Sequence, residues 1–200
     1  MTYGIRRRHV HLWPERGDDG PWLDRLLRSP EVAHAFGLAP GATPTGSDRD
    51  LRAVAWVEAA QAEAEAGELP WARPPSSVGW RRVGAAWAFA PTEGRPVWEL
   101  AYAIPGLRDR NAFVAMAVAD AWACYLFEHV GIDRALLRTA GDNLAAQAVL
   151  RRLGYHRGAR RVRLCGRTFD LALLDRAGWA ERRRRLEGAY DEPAFAGLTG

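Results

Sequence analysis

A mixed α/β fold, one sheet flanked by helices, is the class this sequence predicts, and three observations carry it. Val97–Ile104 (VWELAYAI) alternates well enough for a strand, with Glu99 its one charge. The twenty residues Asn111–Val130 are almost free of charge and too long for a strand, so they predict a buried helix. Before this pair lies a meander pattern, and after it come a strand, a helix and a hairpin.

The elements follow in order. Gly4–Leu12 reads as a first strand and Trp22–Leu27 as a short amphipathic helix. Ser29-Pro30-Glu31 opens another helix, with Ser as N-cap, Pro at the first helical position and an acid in the first turn; Gly37 closes it. Leu38–Gly46 is loop, and Ser47–Asp50 fits a capping box that predicts a helix to about Ala66. Trp71–Pro75 is a proline-limited edge strand. Val78–Ala90 supplies one or two strands, and Pro91–Gly94 turns into Val97–Ile104, an antiparallel meander. Beyond Gly131, Ala135–Thr139 is a strand and Asn143–Leu153 a helix closed by Gly154. Arg161–Leu164 and Thr168–Leu174 form a hairpin around Gly166-Arg167. Arg182–Arg185 and the tail read as solvated.

With 200 residues and no internal repeat, the chain suits one domain with a substantial core. We expect that domain over residues 1–180 and an arginine-rich, flexible tail over 181–200. All 28 basic residues are arginine, and the net charge of +4 suits phosphate-bearing small molecules. No nucleic-acid motif is visible, so nucleic acid is not expected as a partner. No apolar run reaches membrane-spanning length and the N-terminus lacks a signal-like apolar region, so the expected location is cytoplasmic, away from membranes. Cys124 and Cys165 make no disulfide framework, and His9 and His11 lack a third ligand, so no metal site is expected.

Between the strand at Val97–Ile104 and the long helix lies a loop with Pro105, Gly106, Arg108 and Arg110. A helix N-terminus offers unpaired N–H groups and the positive end of the helix dipole, and arginine adds charge, so an anion can dock there. The other reading is a β-loop-α unit with two solvated arginines.

From Trp98 to Trp179 the chain resembles the GCN5-related N-acetyltransferases, in particular their RimJ/RimL-like branch. The resemblance rests on an ordered series: WELAYAI, the loop and long helix, GIDRALLRTAGDN, NLAAQAVLRRLGYHRG and FDLALLDRAGW, with RSPEVAHAFG upstream. It implies a single-domain fold with a mixed, mostly antiparallel sheet of about six to seven strands flanked by helices. The family's fourth and fifth strands, here Val97–Ile104 and Ala135–Thr139, would splay apart. The resemblance further implies acetyl-CoA or another acyl-CoA as co-substrate. Its diphosphate would sit at Arg108, Asp109, Arg110, Asn111, Ala112 and Phe113, and its pantetheine arm along Tyr102, Ala103 and Ile104. Asn143 matches the asparagine that begins the family's second cofactor motif, and Glu99 matches a glutamate that serves as base in part of the family. The alternative for Glu99 is a structural pair with an arginine on a neighbouring strand.

Two departures stand out. Asp109 and Asn111, or Asn111 and Phe113 in a second register, fall where the family has glycine. The serine or tyrosine that commonly protonates the leaving thiolate is replaced by Ala146 and Leu150. The implied function is acyl transfer to a primary amine of a peptide, a protein N-terminus or a small molecule. The alternative is a degenerate domain that binds CoA or serves as a scaffold. A homodimer is one form such a domain could take.

The region expected to frame the acceptor, Trp22–Pro44 with Pro91–Pro96, carries His34 and Phe36 and no dense acidic patch. That composition argues against a polyamine or an aminoglycoside. His156 is a further candidate near the thioester, weighed against a surface position.

Overall fold

A computed structural model describes residues 4–7, 10–15, 19–38, 51–58, 80–93, 96–105, 112–186 and 195–196. Their elements are β1 (Gly4–Arg7), β2 (Val10–Pro14), α1 (Gly20–Arg28), α2 (Pro30–Phe36), β3 (Leu51–Glu58), β4 (Trp80–Phe89) and β5 (Trp98–Ala103). There follow α3 (Ala112–Cys124), a π-helical continuation over Tyr125–Val130, β6 (Arg134–Ala140), α4 (Leu144–Arg152), β7 (His156–Leu164), β8 (Arg167–Asp175), α5 (Arg176–Leu186) and β9 (Phe195–Ala196). The strands form one sheet in the order β7-β8-β6-β5-β4-β3-β2-β1-β9. Every pairing among them is antiparallel except β5 with β6.

This is the expected mixed, mostly antiparallel sheet flanked by helices, with more strands than expected. The first strand is a hairpin: Ile5 pairs with Leu12 and Arg7 with Val10, a reversal that no glycine or asparagine announces. The helix expected from Ser47 to Ala66 is corrected over Leu51–Glu58, which form β3 between β2 and β4. Consecutive Ala53, Val54 and Ala55 are all buried, because both faces of this strand are covered, and so the sequence lacks the alternation that marks a half-exposed strand. The rest of that expected helix, the Leu38–Gly46 loop beyond residue 38 and the Trp71–Pro75 strand lie outside the described residues.

Helix α2 is built as its sequence dictates. The Ser29 hydroxyl accepts from the Val32 N–H at 3.3 Å, Pro30 opens the helix, and Gly37 ends it with φ +65°. A Cβ at Gly37 would lie 2.8 Å from the Phe169 ring, so this glycine also lets the helix end sit close on β8.

The helices cover opposite faces. On one, α1 and α2 bury Leu23, Leu27 and Val32 against Val54, Trp87 and Phe89. On the other, α3 lays Val118, Ala121 and Trp122 over Leu100, Leu137 and Leu174.

The C-terminal region needs correction. Helix α5 runs across residue 180, and Arg182 pairs with fully buried Asp120 of α3 instead of standing in solvent. Within the expected tail, Phe195–Ala196 pair with β1. Cys165 and Gly166 form the β7–β8 turn, at φ 46° and 77° respectively. Strand β7 begins earlier than expected, at His156, with a bulge between Arg157 and Arg161.

Candidate active site

The site follows from a break in the sheet. Strands β5 and β6 run parallel and pair at Trp98–Ala135, Glu99–Leu136 and Leu100–Leu137, and there their ladder stops. Beyond it β5 stays with β4 as far as Ala103–Ala85, while β6 stays with β8 as far as Ala140–Phe169. Each strand holds to its outer neighbour, so a wedge opens between them.

A cavity of about 780 Å³ occupies the wedge. Ala101, Tyr102, Ala103 and Ile104 line one wall, and Leu137, Arg138 and Thr139 the other. Helix α2 contributes Glu31, His34 and Phe36, and α4 contributes Ala146, Val149 and Leu150 with its cap Asn143. The cavity therefore opens toward both helical layers. Its size suits an extended small molecule with room for a second reactant.

Strand alternation sorts the side chains. Ala101 and Ala103 pack toward the α1–α2 layer, and Tyr102 and Ile104 toward α3. By the same alternation Glu99 faces the α1–α2 side, at the bottom of the wedge. The residue is 5% exposed, and its carboxylate accepts a hydrogen bond from Arg138 Nε, on the facing strand. Glu99 lines the cavity, and it pairs with an arginine of the adjacent strand, the structural alternative weighed from the sequence.

Tyr102 lines the cavity as a neutral phenol, because burial pushes its ionisation well above the ordinary tyrosine range. Asn143 caps α4, its Oδ1 accepting from the Ala146 N–H at 3.1 Å, and lines the cavity as well. Ala146 and Leu150, the two positions at which the resemblance implies a proton donor, both line the cavity and offer no acidic hydrogen.

The loop residues Arg108, Asp109, Arg110 and Asn111 lie outside the described residues, and Ala112 and Phe113 open α3. His156 is exposed at the start of β7 and is not among the cavity-lining residues. Cys124 is a core residue of α3. The expected acceptor frame is represented by α2; the residues of α1 and of the Pro91–Pro96 turn do not line the cavity among those described.

Sequence reasoning missed three residues. Arg138 was one arginine among 28, and only the β5–β6 register shows that it reaches Glu99. Thr139 is buried in the wedge wall. Arg167 ties α2 to the turn before α4, donating to the His34 carbonyl at 3.2 Å and pairing with Asp142 beside Asn143.

The family model described as an acetyltransferase (GNAT) domain matches residues 10–156. No curated protein matches the chain. Among solved structures, the fold is similar to that of Mycobacterium smegmatis RimJ in complex with CoA-disulfide, at 19% identity over 94% of each chain and a TM-score of 0.61. It is also similar to spermidine N-acetyltransferase from Vibrio cholerae in complex with CoA and spermine: 12% identity, 86% of this chain, 98% of that one, TM-score 0.64. The aminoglycoside acetyltransferase AAC(6')-Ib, in a complex with ribostamycin and coenzyme A, gives 14% identity, 87% and 97% coverage, and a TM-score of 0.63.

Proposed function

Because the chain belongs to the GNAT acetyltransferase family, we propose that it transfers an acetyl group from acetyl-CoA to a primary amine by direct attack on the thioester. The observation that carries this reading is the wedge. Past Leu100 and Leu137 the facing edges of β5 and β6 have no ladder between them, and an extended chain bearing amides can pair with such an edge. The pantetheine arm has that chemistry. In this reading it lies along Tyr102–Ile104, with the thioester toward the bottom of the wedge and the diphosphate toward the start of α3.

Arg108 and Arg110 hold the diphosphate by charge, with Asn111 and the first backbone amides of α3, at Ala112 and Phe113, adding hydrogen-bond donors. Asp109 lies between them in the sequence as the loop's acidic member. Asn143 fixes the start of α4 at the cavity wall. The amine enters from the α2 side, where Glu31, His34 and Phe36 line the cavity, and Glu99 takes its proton, directly or through water. The mixed character of that wall favours a peptide or protein N-terminus, or a modest-sized amine, over a polycation.

The test is a calorimetric titration with acetyl-CoA, followed by incubation with primary amines and peptides and mass-spectrometric detection of acetylated product. Saturable binding with an acetylated product supports the reading. Binding with no product from any acceptor favours the non-catalytic alternative, to which Ala146 and Leu150 would then belong.

A further inference from the structure

Thr139 is 6% exposed, and its Oγ1 has no hydrogen-bond partner among the described residues. A buried hydroxyl left in that state costs stability, and native structures rarely keep one without a use. This one lies in the cavity wall, two residues past the last β5–β6 pairing at Leu137 and therefore on the same face. Across the opening, Tyr102 stands two residues past Leu100 on that face. Thr139 thus stands near the bottom of the wedge, and the positions of the usual proton donor, Ala146 and Leu150, line the same cavity without an acidic hydrogen.

We propose that Thr139 contacts the acyl-CoA thioester and donates a hydrogen bond to its sulphur as the C–S bond breaks. The proposal rests on the acetyl-transfer reading and adds the group that stabilises the leaving thiolate. The amine nitrogen bonds to the thioester carbon, and the sulphur departs with the electron pair of the broken C–S bond. The amine's proton passes to the base, and solvent returns one to the sulphur. Until then the thiolate charge is held by the Thr139 O–H. The oxygen itself is buried, so presenting it to the cavity takes a turn about the Cα–Cβ bond between staggered positions. A hydrogen bond gained in that turn repays a hydroxyl that has none to lose among the described residues.

Two substitutions test this. Thr139→Val keeps the shape and removes the hydroxyl, whereas Thr139→Ser keeps the hydroxyl and removes the methyl. Thr139→Val should fold with an unchanged or higher melting temperature and bind acetyl-CoA within about twofold of wild type, while kcat falls roughly tenfold or more, as expected for losing a hydrogen bond to a charge. Thr139→Ser should restore most of kcat. Wild-type kcat in Thr139→Val, or equal losses in both variants, would overturn the assignment. Absence of acetyl-CoA binding by the wild type would reject the acetyl-transfer reading itself, an outcome distinct from either.

Discussion

Glu99 and Arg138 meet across the one parallel pairing among the described strands, the guanidinium Nε donating to the carboxylate Oε1 at the bottom of the wedge. The glutamate is almost fully buried and the arginine about one-third exposed. A carboxylate in such a place needs a partner to stay charged. The pair also bridges the last rungs before the strands part, so it ties the two walls together where they diverge.

Removing the arginine should therefore be costly. Arg138→Gln breaks this ion pair on its buried side and should lower stability by about 2 kcal/mol, below the usual figure for fully buried pairs because Arg138 is partly solvated. Glu99→Gln, which removes the charge instead, should destabilise less. Urea denaturation of the two variants checks the order; equal losses would mean that Arg138 does not offset the cost of burying the Glu99 charge.

A second buried pair docks the C-terminal helix. Arg182 Nη2 and Asp120 Oδ2 are 2.9 Å apart, and the carboxylate is fully buried within α3. Arg182→Leu should cost about 3–5 kcal/mol, the penalty for breaking a buried ion pair. The neighbouring surface substitution Arg184→Leu should cost less than about 1 kcal/mol. Thermal unfolding of both would show this, and a small effect at Arg182 would mean that α5 is held by its apolar contacts alone.

Gly84 controls the cavity wall from behind. A Cβ there would lie 2.4 Å from the Ala103 carbonyl oxygen, at the end of β5. Gly84→Ala must push β5 toward the wedge, so acetyl-CoA affinity should fall about tenfold, with a stability loss of about 1–3 kcal/mol. Unchanged affinity in calorimetry would show that the Ala103–Ile104 wall does not hold the cofactor.

Burial raises the ionisation of the Tyr155 phenol, with the nearby Tyr102 and Asp120 adding to the effect, well beyond the ordinary tyrosine range. A raised folded-state value contributes stability that is complete below the unfolded value, about pH 10, and is lost as pH rises above it. Wild-type stability should decline above about pH 10, and Tyr155→Phe should make that decline shallower by up to about 1.4 kcal/mol per pH unit. Identical alkaline profiles would remove Tyr155 from this role.

The parts legible in the sequence were those with local signals. Ser29, Pro30 and Gly37 bounded α2 because caps act within one turn, and Val97–Ile104 showed its alternation because one layer covers each of its faces differently. The β3 strand was hidden because Ala53, Val54 and Ala55 are buried on both sides, so no period marks them. In the site, Glu99 stood out as a lone charge on an apolar strand. Its partner did not, since choosing Arg138 requires the β5–β6 register, and Arg182 was equally anonymous within a run of arginines. Thr139 carried no signal, because an unpaired hydroxyl is a property of packing.

The most direct test of acetyl transfer in this wedge is the amine-dependent rate of thiol release from acetyl-CoA, compared between wild type and Glu99→Gln. If Glu99 is the base, release by the wild type should depend on the amine, and Glu99→Gln should lower kcat by roughly 10²–10⁴ with acetyl-CoA affinity nearly intact. The loss should shrink as pH rises and the amine deprotonates without help. Equal rates in the two proteins would reduce Glu99 to a structural partner of Arg138. Acetyl-CoA binding without amine-dependent thiol release from the wild type would contradict the account as a whole.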